Sequence, residues 1–338
     1  MRRLPGLPGA LSSRVGRSSM VVALVLALGW SGPWSPHPAW GSGAAAGDRA
    51  ALAPVLDGRG QSGLDYTTLL AARDTLYLLE RSAGEVRAFP LHGMARAQQF
   101  YKALRRAEGN RGLIIGQPLS LSLVGATLYV LDDRATLWAY DTAAYDKQLV
   151  PLRAESRQGA LRAATFPDGL GALVVLDTDS HGHTRLWGYR RGARGYISSP
   201  TLLPGGPGAP RGAATLIGEG GGGSLLLWVG GAAWAVWPQS RRPAARIVPN
   251  GRPAVIGPLW RERAITAGAL VLDPARATIT LVQLGGARVA VVGEIGYTAP
   301  DGVEWHGLCG DATTGKIYLL SKDNRVYALP MPRAWRKV

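Results

Sequence analysis

Residues 315–330 read GKIYLLSKDNRVYALP: an apolar run at Ile317–Ser321, a polar reversal, and a second apolar run at Arg325–Leu329. Two β-rich runs joined by turn-forming residues make a hairpin, because a tight reversal lets both strands bury the same faces. The phrase occurs six times. Its earlier first runs are LYLLE at Leu76–Glu80, LYVLD at Leu128–Asp132, LVVLD at Leu173–Asp177, LLLWV at Leu225–Val229 and ALVLD at Ala269–Asp273, often ending in an acid. Their partners are EVRAF at 85–89, TLWAY at 136–140, RLWGY at 185–189, WAVW at 234–237 and TLVQL at 280–284. Counted at the fourth residue of each first run, the copies lie 52, 45, 52, 44 and 48 residues apart.

Further strands flank each hairpin. LDYTTLL (64–70), LSLSLV (119–124), LRAATF (161–166), AATLIG (213–218), LWRERAIT (259–266) and VEWHGLC (303–309) precede it. KQLVPL (147–152), ARIV (245–248) and ARVAVVGEI (287–295) follow it. Four antiparallel strands in each repeat of this length is the size of a propeller blade. A lone four-stranded sheet cannot cover two apolar faces, whereas radial stacking covers each face with the next sheet and shields the edges. A helical solenoid is excluded, because the spacing inside each unit is strand-like rather than 3.6-periodic. The expected fold is all-β: a six-bladed β-propeller of four-stranded antiparallel blades over residues 50–332, with 333–338 as a C-terminal tail. Little chain follows Pro330 for the outer strand of the last blade, so ALAPVL at 51–56 is expected to supply it and close the ring. Pro54 suits that position, since an outermost strand has one unpaired edge.

One insertion interrupts the repeat. MARAQQFYKALRRAE at Met94–Glu108 groups Ala97, Phe100, Tyr101 and Leu104 on one helical face, opposite Arg96, Lys102, Arg105 and Arg106. A helix is expected there, either packed on the propeller or turned to a membrane surface or partner.

The sixth copy, with its Gly-x-Ile-Tyr strand, Asn324-Arg325 turn and Val-rich strand, resembles a blade of the NHL and YVTN-type propeller families. GATLYVLDDRATLWAYD at 125–141 resembles it less closely. The resemblance extends over residues 50–330 in rhythm. It implies a propeller and a habit of binding ligands or partners, and no catalytic residues.

The N-terminus has a different grammar. Arg2, Arg3, Arg14 and Arg17 come without an acid, followed by MVVALVLALGW at Met20–Trp30 and small residues around Ala39–Gly41 and Ala44–Ala46. A basic leader, a short apolar core and small residues are the three parts of a secretory signal. Residues 1–41 therefore read as a signal peptide or signal anchor and 42–49 as a linker, with the remainder secreted or extracytoplasmic in the cell envelope. The apolar core is short against the roughly 20 residues of a spanning helix.

The net charge of +15 comes from 38 basic against 23 acidic residues. Such a surplus suits a membrane surface or polyanion. The arginines are scattered without a run of five or six, which argues against a specific nucleic-acid partner. The single cysteine, Cys309, excludes an intrachain disulfide and reads as a buried thiol in an apolar stretch.

In a propeller the innermost strands line a central channel, so their polar residues are the first site candidates. They are Asp65, Arg162, Arg261, Glu262, Arg263, Glu304 and His306. Ring closure makes the first and sixth blades neighbours, so Asp65 can approach Glu304 and His306, which are two apart and share a strand face. Two carboxylates and an imidazole could hold a divalent metal, act as an acid–base pair, or form ordinary salt bridges with channel arginines. The turn DTDSHGHT at 177–184 is the second candidate metal site, through Asp177, Asp179, His181 and His183. The same residue types are common in exposed turns. GEGGGG at 218–223 lacks the Lys-Ser/Thr of a phosphate loop, and no Gly-x-Ser-x-Gly elbow occurs.

No cofactor is expected on this reading. The leading expectation is a non-catalytic propeller binding a protein or small ligand at one rim. A metal-dependent hydrolase or lactonase with a channel site is the alternative, and a basic envelope- or polyanion-binding protein the second.

Overall fold

The computed structural model describes residues 49–58, 65–72, 75–82, 85–91, 102–103, 118–132, 137–142, 147–150, 160–165, 172–178, 184–190, 201–203, 214–218, 225–229, 232–236, 245–247, 255–261, 264–285 and 288–338. They are almost wholly strand. Among them no helix is long and apolar enough to cross a membrane.

Consecutive strands pair antiparallel. Two short strands open the described chain, β1 (Ala50–Ala51) and β2 (Ala53–Asp57). The first sheet is β3 (Tyr66–Ala72), β4 (Thr75–Glu80), β5 (Glu85–Pro90) and β6 (Lys102–Ala103). The second is β7 (Pro118–Val124), β8 (Thr127–Asp132), β9 (Leu137–Asp141) and β10 (Lys147–Val150). The third is β11 (Ala160–Thr165), β12 (Ala172–Thr178), β13 (Thr184–Arg190) and β14 (Thr201–Leu203). The fourth is β15 (Ala214–Gly218), β16 (Leu225–Val229), β17 (Ala232–Val236) and β18 (Ala245–Ile247).

The remaining strands are β19 (Val255–Arg261), β20 (Ala264–Asp273), β21 (Thr278–Gly285), β22 (Arg288–Thr298), β23 (Trp305–Asp311), β24 (Lys316–Ser321) and β25 (Arg325–Pro330). With β1 and β2 they form one nine-stranded sheet, ordered β1-β22-β21-β20-β19-β23-β24-β25-β2. It consists of two meanders, β19 to β22 and β23 to β25, joined where β19 and β23 pair parallel through Leu259 with Gly310 and Trp260 with Asp311. At its outer edges β1 pairs with β22, and β2 pairs antiparallel with β25 through Ala53 with Ala328 and Asp57 with Arg325.

The cores lie between neighbouring meanders, and side-chain alternation shows how. Along β24, Ile317 and Leu319 enter a cluster with Leu259, Leu270 and Trp305, whereas Tyr318 and Leu320 enter another with Leu69, Ala71 and Leu78. Along β3, Leu69 and Ala71 face that second cluster, while Leu70 and Ala72 face a third with Leu123, Val130 and Trp138. A strand sends successive side chains to opposite faces, and here both faces are buried, which is why the strands read as unbroken apolar runs. The first strands of the sheets neighbour one another in the order β3, β7, β11, β15, β19, β23, and β23 lies against β3. The arrangement is propeller-like.

Two expectations need correction. The helix over 94–108 does not run through Lys102–Ala103, which extend as β6 and pair with Ala88 and Arg87. The outer edge of β5 needs hydrogen-bond partners, a demand that amphipathic periodicity does not register. The rest of 94–108 lies outside the described residues. LWRERAIT is not one strand either. β19 ends at Arg261 and the chain reverses, with Arg261 paired to Ala264 and Trp260 to Ile265. A charged residue such as Arg261 is better placed at the end of an apolar strand than within a buried one.

Candidate functional site

The first strands β3 and β23 begin at one rim, which we call the leading rim, and the hairpin turns after β4 and β24 return to it. At β3 the Asp65 amide donates to Glu80 Oε1 at 3.0 Å, and the Arg81 amide donates to the Asp65 carbonyl at 2.8 Å. Glu80 is fully buried and also accepts from the Ser82 amide at 3.1 Å and from the Ser82 hydroxyl. The acid that ends the first runs at Glu80, Asp132 and Asp273 is thus a turn anchor. Asp273 accepts from the amides of Ala275 and Arg276, and buried Asp132 accepts from the Trp138 indole at 3.2 Å. Asp177 holds the same register position, on β12 opposite Arg185, as the end of the first run LVVLD requires. Asp179, His181 and His183 lie outside the described residues, as do Glu262 and Arg263.

The sixth copy is built alike. The Lys322 amide donates to the Glu304 carbonyl at 2.8 Å, and the two side chains form an ion pair. The Lys322 hydrogen bond, then its charge, hold the exposed Glu304 carboxyl below the usual carboxylate range. Asp323 pairs with Arg325, whose guanidinium lies 5.4 Å from the Tyr327 ring centroid.

His306 falls on a β-bulge between Trp305 and Gly307. Equivalent irregularities occur near the starts of β3, β7 and β11, and the last puts Arg162 at the same position as His306. A bulge re-aims the side chain it carries. His306 is half-buried. Burial pushes its pKa down from 6.5, the Lys322 charge adds to that, and the charges of Asp65 and Glu304 oppose it. The rim therefore brings Asp65, Glu304 and His306 together, with Lys322 among them. Among the described residues no three His, Cys, Asp or Glu side chains are grouped to hold a metal. Cys309 is fully buried and desolvation drives its thiol pKa well up, so no thiolate is offered.

Because its pKa is depressed in the fold, His306 takes up a proton less readily there than in the unfolded chain. Its contribution to stability is complete above the ordinary value of 6.5 and is lost as the pH falls below it. Thermal scans at about pH 7.5 and about pH 5 are expected to show a fall in Tm that is smaller in His306→Gln than in the parent. An identical fall in both would remove His306 from that account.

Asn324 ties this rim together, and sequence reasoning noted it only as half of a family-like dipeptide. Its φ of 62° is left-handed. Its Oδ1 accepts from the Tyr66 amide at 2.9 Å, its own amide donates to the Ser321 carbonyl at 3.0 Å, and its carbonyl accepts from the Gly58 amide at 3.1 Å. One residue thus holds the end of β2, the start of β3 and the turn after β24. The available signal was an Asn at a turn flanked by strands, where αL is most readily adopted outside glycine.

Arg261 belongs to the other rim. β19 runs parallel to β23 with Trp260 level with Asp311, so Arg261 lies about 25 Å along the strand direction from Glu304. Its guanidinium donates to the main-chain oxygens of Arg336 and Val338, both at 2.7 Å. Among the described residues the interior at that end is apolar. Trp260, 2% exposed, joins the cluster of Leu70, Ala72 and Leu123, and the β19–β20 hairpin reaches β3 and β7. The candidate residues therefore divide between two rims.

No family model matches this chain, and no curated protein matches its sequence. Solved structures similar to it include the nidogen/laminin complex, at 11% identity over 69% of this chain and 81% of that one, TM-score 0.47. The mitotic checkpoint complex matches at 9% identity over 78% and 76%, TM-score 0.47. U3-55K matches at 10% identity over 83% and 98%, TM-score 0.49. None of these likenesses bears on what this chain binds.

Proposed function

We propose that the chain is an exported, six-bladed β-propeller that works by binding, with a protein or small molecule docking at the leading rim between its first and sixth blades. Six blades closed into a ring accord with the cyclic order of first-strand neighbours and with β2 serving as the outer strand beside β25. Export rests on the basic leader and the apolar core at Met20–Trp30.

The observation that carries the binding site is a preorganised seam. Exposed Asp65, Glu304 and Lys322 and half-buried His306 stand on a base fixed by Glu80 and Asn324. Rigidly held polar groups bind without an ordering cost. The reading is non-catalytic because the charges at the rim are engaged by one another, Glu304 by Lys322 and Asp323 by Arg325. A ligand matching this surface replaces those contacts with its own.

A screen of immobilised short peptides and small polar ligands is expected to yield binders lost in the Asp65→Asn/Lys322→Ala double variant. Those binders should be retained in Lys316→Gln, which lies at the opposite rim. Binders indifferent to the double variant would displace the site. A stoichiometric divalent ion in the purified protein, with lactone hydrolysis abolished by chelation, would replace the binding reading with an enzymatic one.

A further inference from the structure

The membrane-facing role that the sequence offered to the 94–108 segment fits another part of the molecule better. The chain ends in a 3₁₀ turn, Arg333–Lys337, whose Trp335 is 4% exposed and packs against Gly293 of β22. Burial of Trp335 and the Arg261 hydrogen bonds fix this turn on the rim opposite the leading one, the trailing rim. Arg333, Arg336 and Lys337 are left exposed there. The Arg336 guanidinium lies against Gly315, which puts the exposed Lys316 beside it.

Charge is distributed unequally between the rims. On the leading rim Lys322 and Arg325 are paired with Glu304 and Asp323. Lys316, Arg333, Arg336 and Lys337 make no ion pair among the described residues. Asp311, opposite Lys316 on the neighbouring strand, is fully buried and accepts from Thr313 and Thr314, so it does not answer them. Cations gathered on one surface without acidic partners add their fields.

Beside them runs a groove of about 750 Å³. Pro54 and Val55 of β2 and Leu329 and Pro330 of β25 give it an apolar floor, with Lys316 and Arg336 at one end and Asp57, level with Arg325, at the other. We propose that this trailing-rim surface docks on a bilayer containing anionic phospholipid, the phosphate headgroup meeting Lys316 and Arg336 and the start of an acyl chain lying along the groove. Cations bordering an apolar floor match the two chemistries of such a lipid in order. A single-stranded nucleic acid would want exposed aromatic rings for its bases, and the aromatic ring in this turn, Trp335, is buried. The proposal does not depend on the leading rim binding anything.

Each cation near an anionic surface strengthens partitioning about fivefold, so removing three weakens it about a hundredfold. The test is co-sedimentation of the full chain with vesicles of phosphatidylcholine alone or mixed with phosphatidylglycerol. Binding is expected to require phosphatidylglycerol and to fall as salt rises from about 0.1 M to about 0.5 M. The triple variant Lys316→Gln/Arg333→Gln/Lys337→Gln, which keeps the Arg261 and Trp335 contacts, should bind about a hundredfold more weakly. Arg276→Gln, which removes a cation already paired with Glu294, should change it less than about fivefold. Equal sedimentation with neutral vesicles would point to the apolar N-terminal stretch and overturn the proposal. So would phosphatidylglycerol binding unchanged in a triple variant of native circular dichroism, or binding to heparin without binding to vesicles.

Discussion

Replacing Asn324 with alanine is expected to lower the unfolding free energy by about 2–4 kcal/mol, read from the urea midpoint at constant m. Two effects combine. The buried Tyr66 amide loses its acceptor, at a cost of about 1–3 kcal/mol for an unsatisfied buried donor. Alanine also inherits a left-handed backbone that costs about 1 kcal/mol or more, which asparagine tolerates better. The effects separate by substitution. Asn324→Gly relieves the backbone and loses only the acceptor, while Asn324→Asp keeps both an acceptor and a side chain at home in αL. The expected order of stability is parent, Asp, Gly, Ala. Alanine as stable as glycine would mean that the left-handed turn is not adopted, and glycine equal to the parent would mean that the Tyr66 contact contributes nothing. Since Asn324 also receives the Gly58 amide, the alanine variant should loosen β2 as well, seen as faster amide exchange at Leu56 and Gly58.

How much of this was legible beforehand differs by element, for physical reasons. Hairpin strands such as β4 and β24 are buried on both faces, and runs such as IYLLS admit few other placements in a chain with Gly and Asp between them. β6 and β14, of two and three residues, are too short to carry a period of their own. Pairing to a neighbour decides them, and pairing is not written in local sequence. In β19 the reversal at Arg261 was hidden because Trp260 and Ile265 bracket the charged run with apolar residues, so the whole stretch reads as one strand. Proximity of Asp65, Glu304 and His306 follows from ring logic alone. The pairing of Glu304 with Lys322 does not, because it needs the turn after β24 folded back to the start of β23. The trailing-rim cations were read as a tail, since nothing in PRAWRKV states that Trp335 is buried.

Gly257→Ala should be the most damaging single-methyl addition among the described glycines, costing about 3 kcal/mol or more. An added Cβ would fall inside the van der Waals envelope of the Leu308 carbonyl, main-chain atoms that cannot rotate away. β19 and β23 run parallel there, and the contact can be relieved only by separating them. Separation breaks the bond from the Ala312 amide to the Trp260 carbonyl, 2.7 Å, and opens the cluster of Leu259, Leu270 and Trp305 that fills the space between these two meanders. Gly257→Val should be worse still. The control is Gly125→Ala, where φ is 60° but the added methyl meets open space, so only the backbone term of about 1–2 kcal/mol applies. If Gly257→Ala proves no more costly than Gly125→Ala, the two strands do not approach this closely and the join between the last two meanders fails. If it is several times more costly, the parallel seam is a fixed part of the core, and Trp260 is held across the interior by backbone contact as well as by packing.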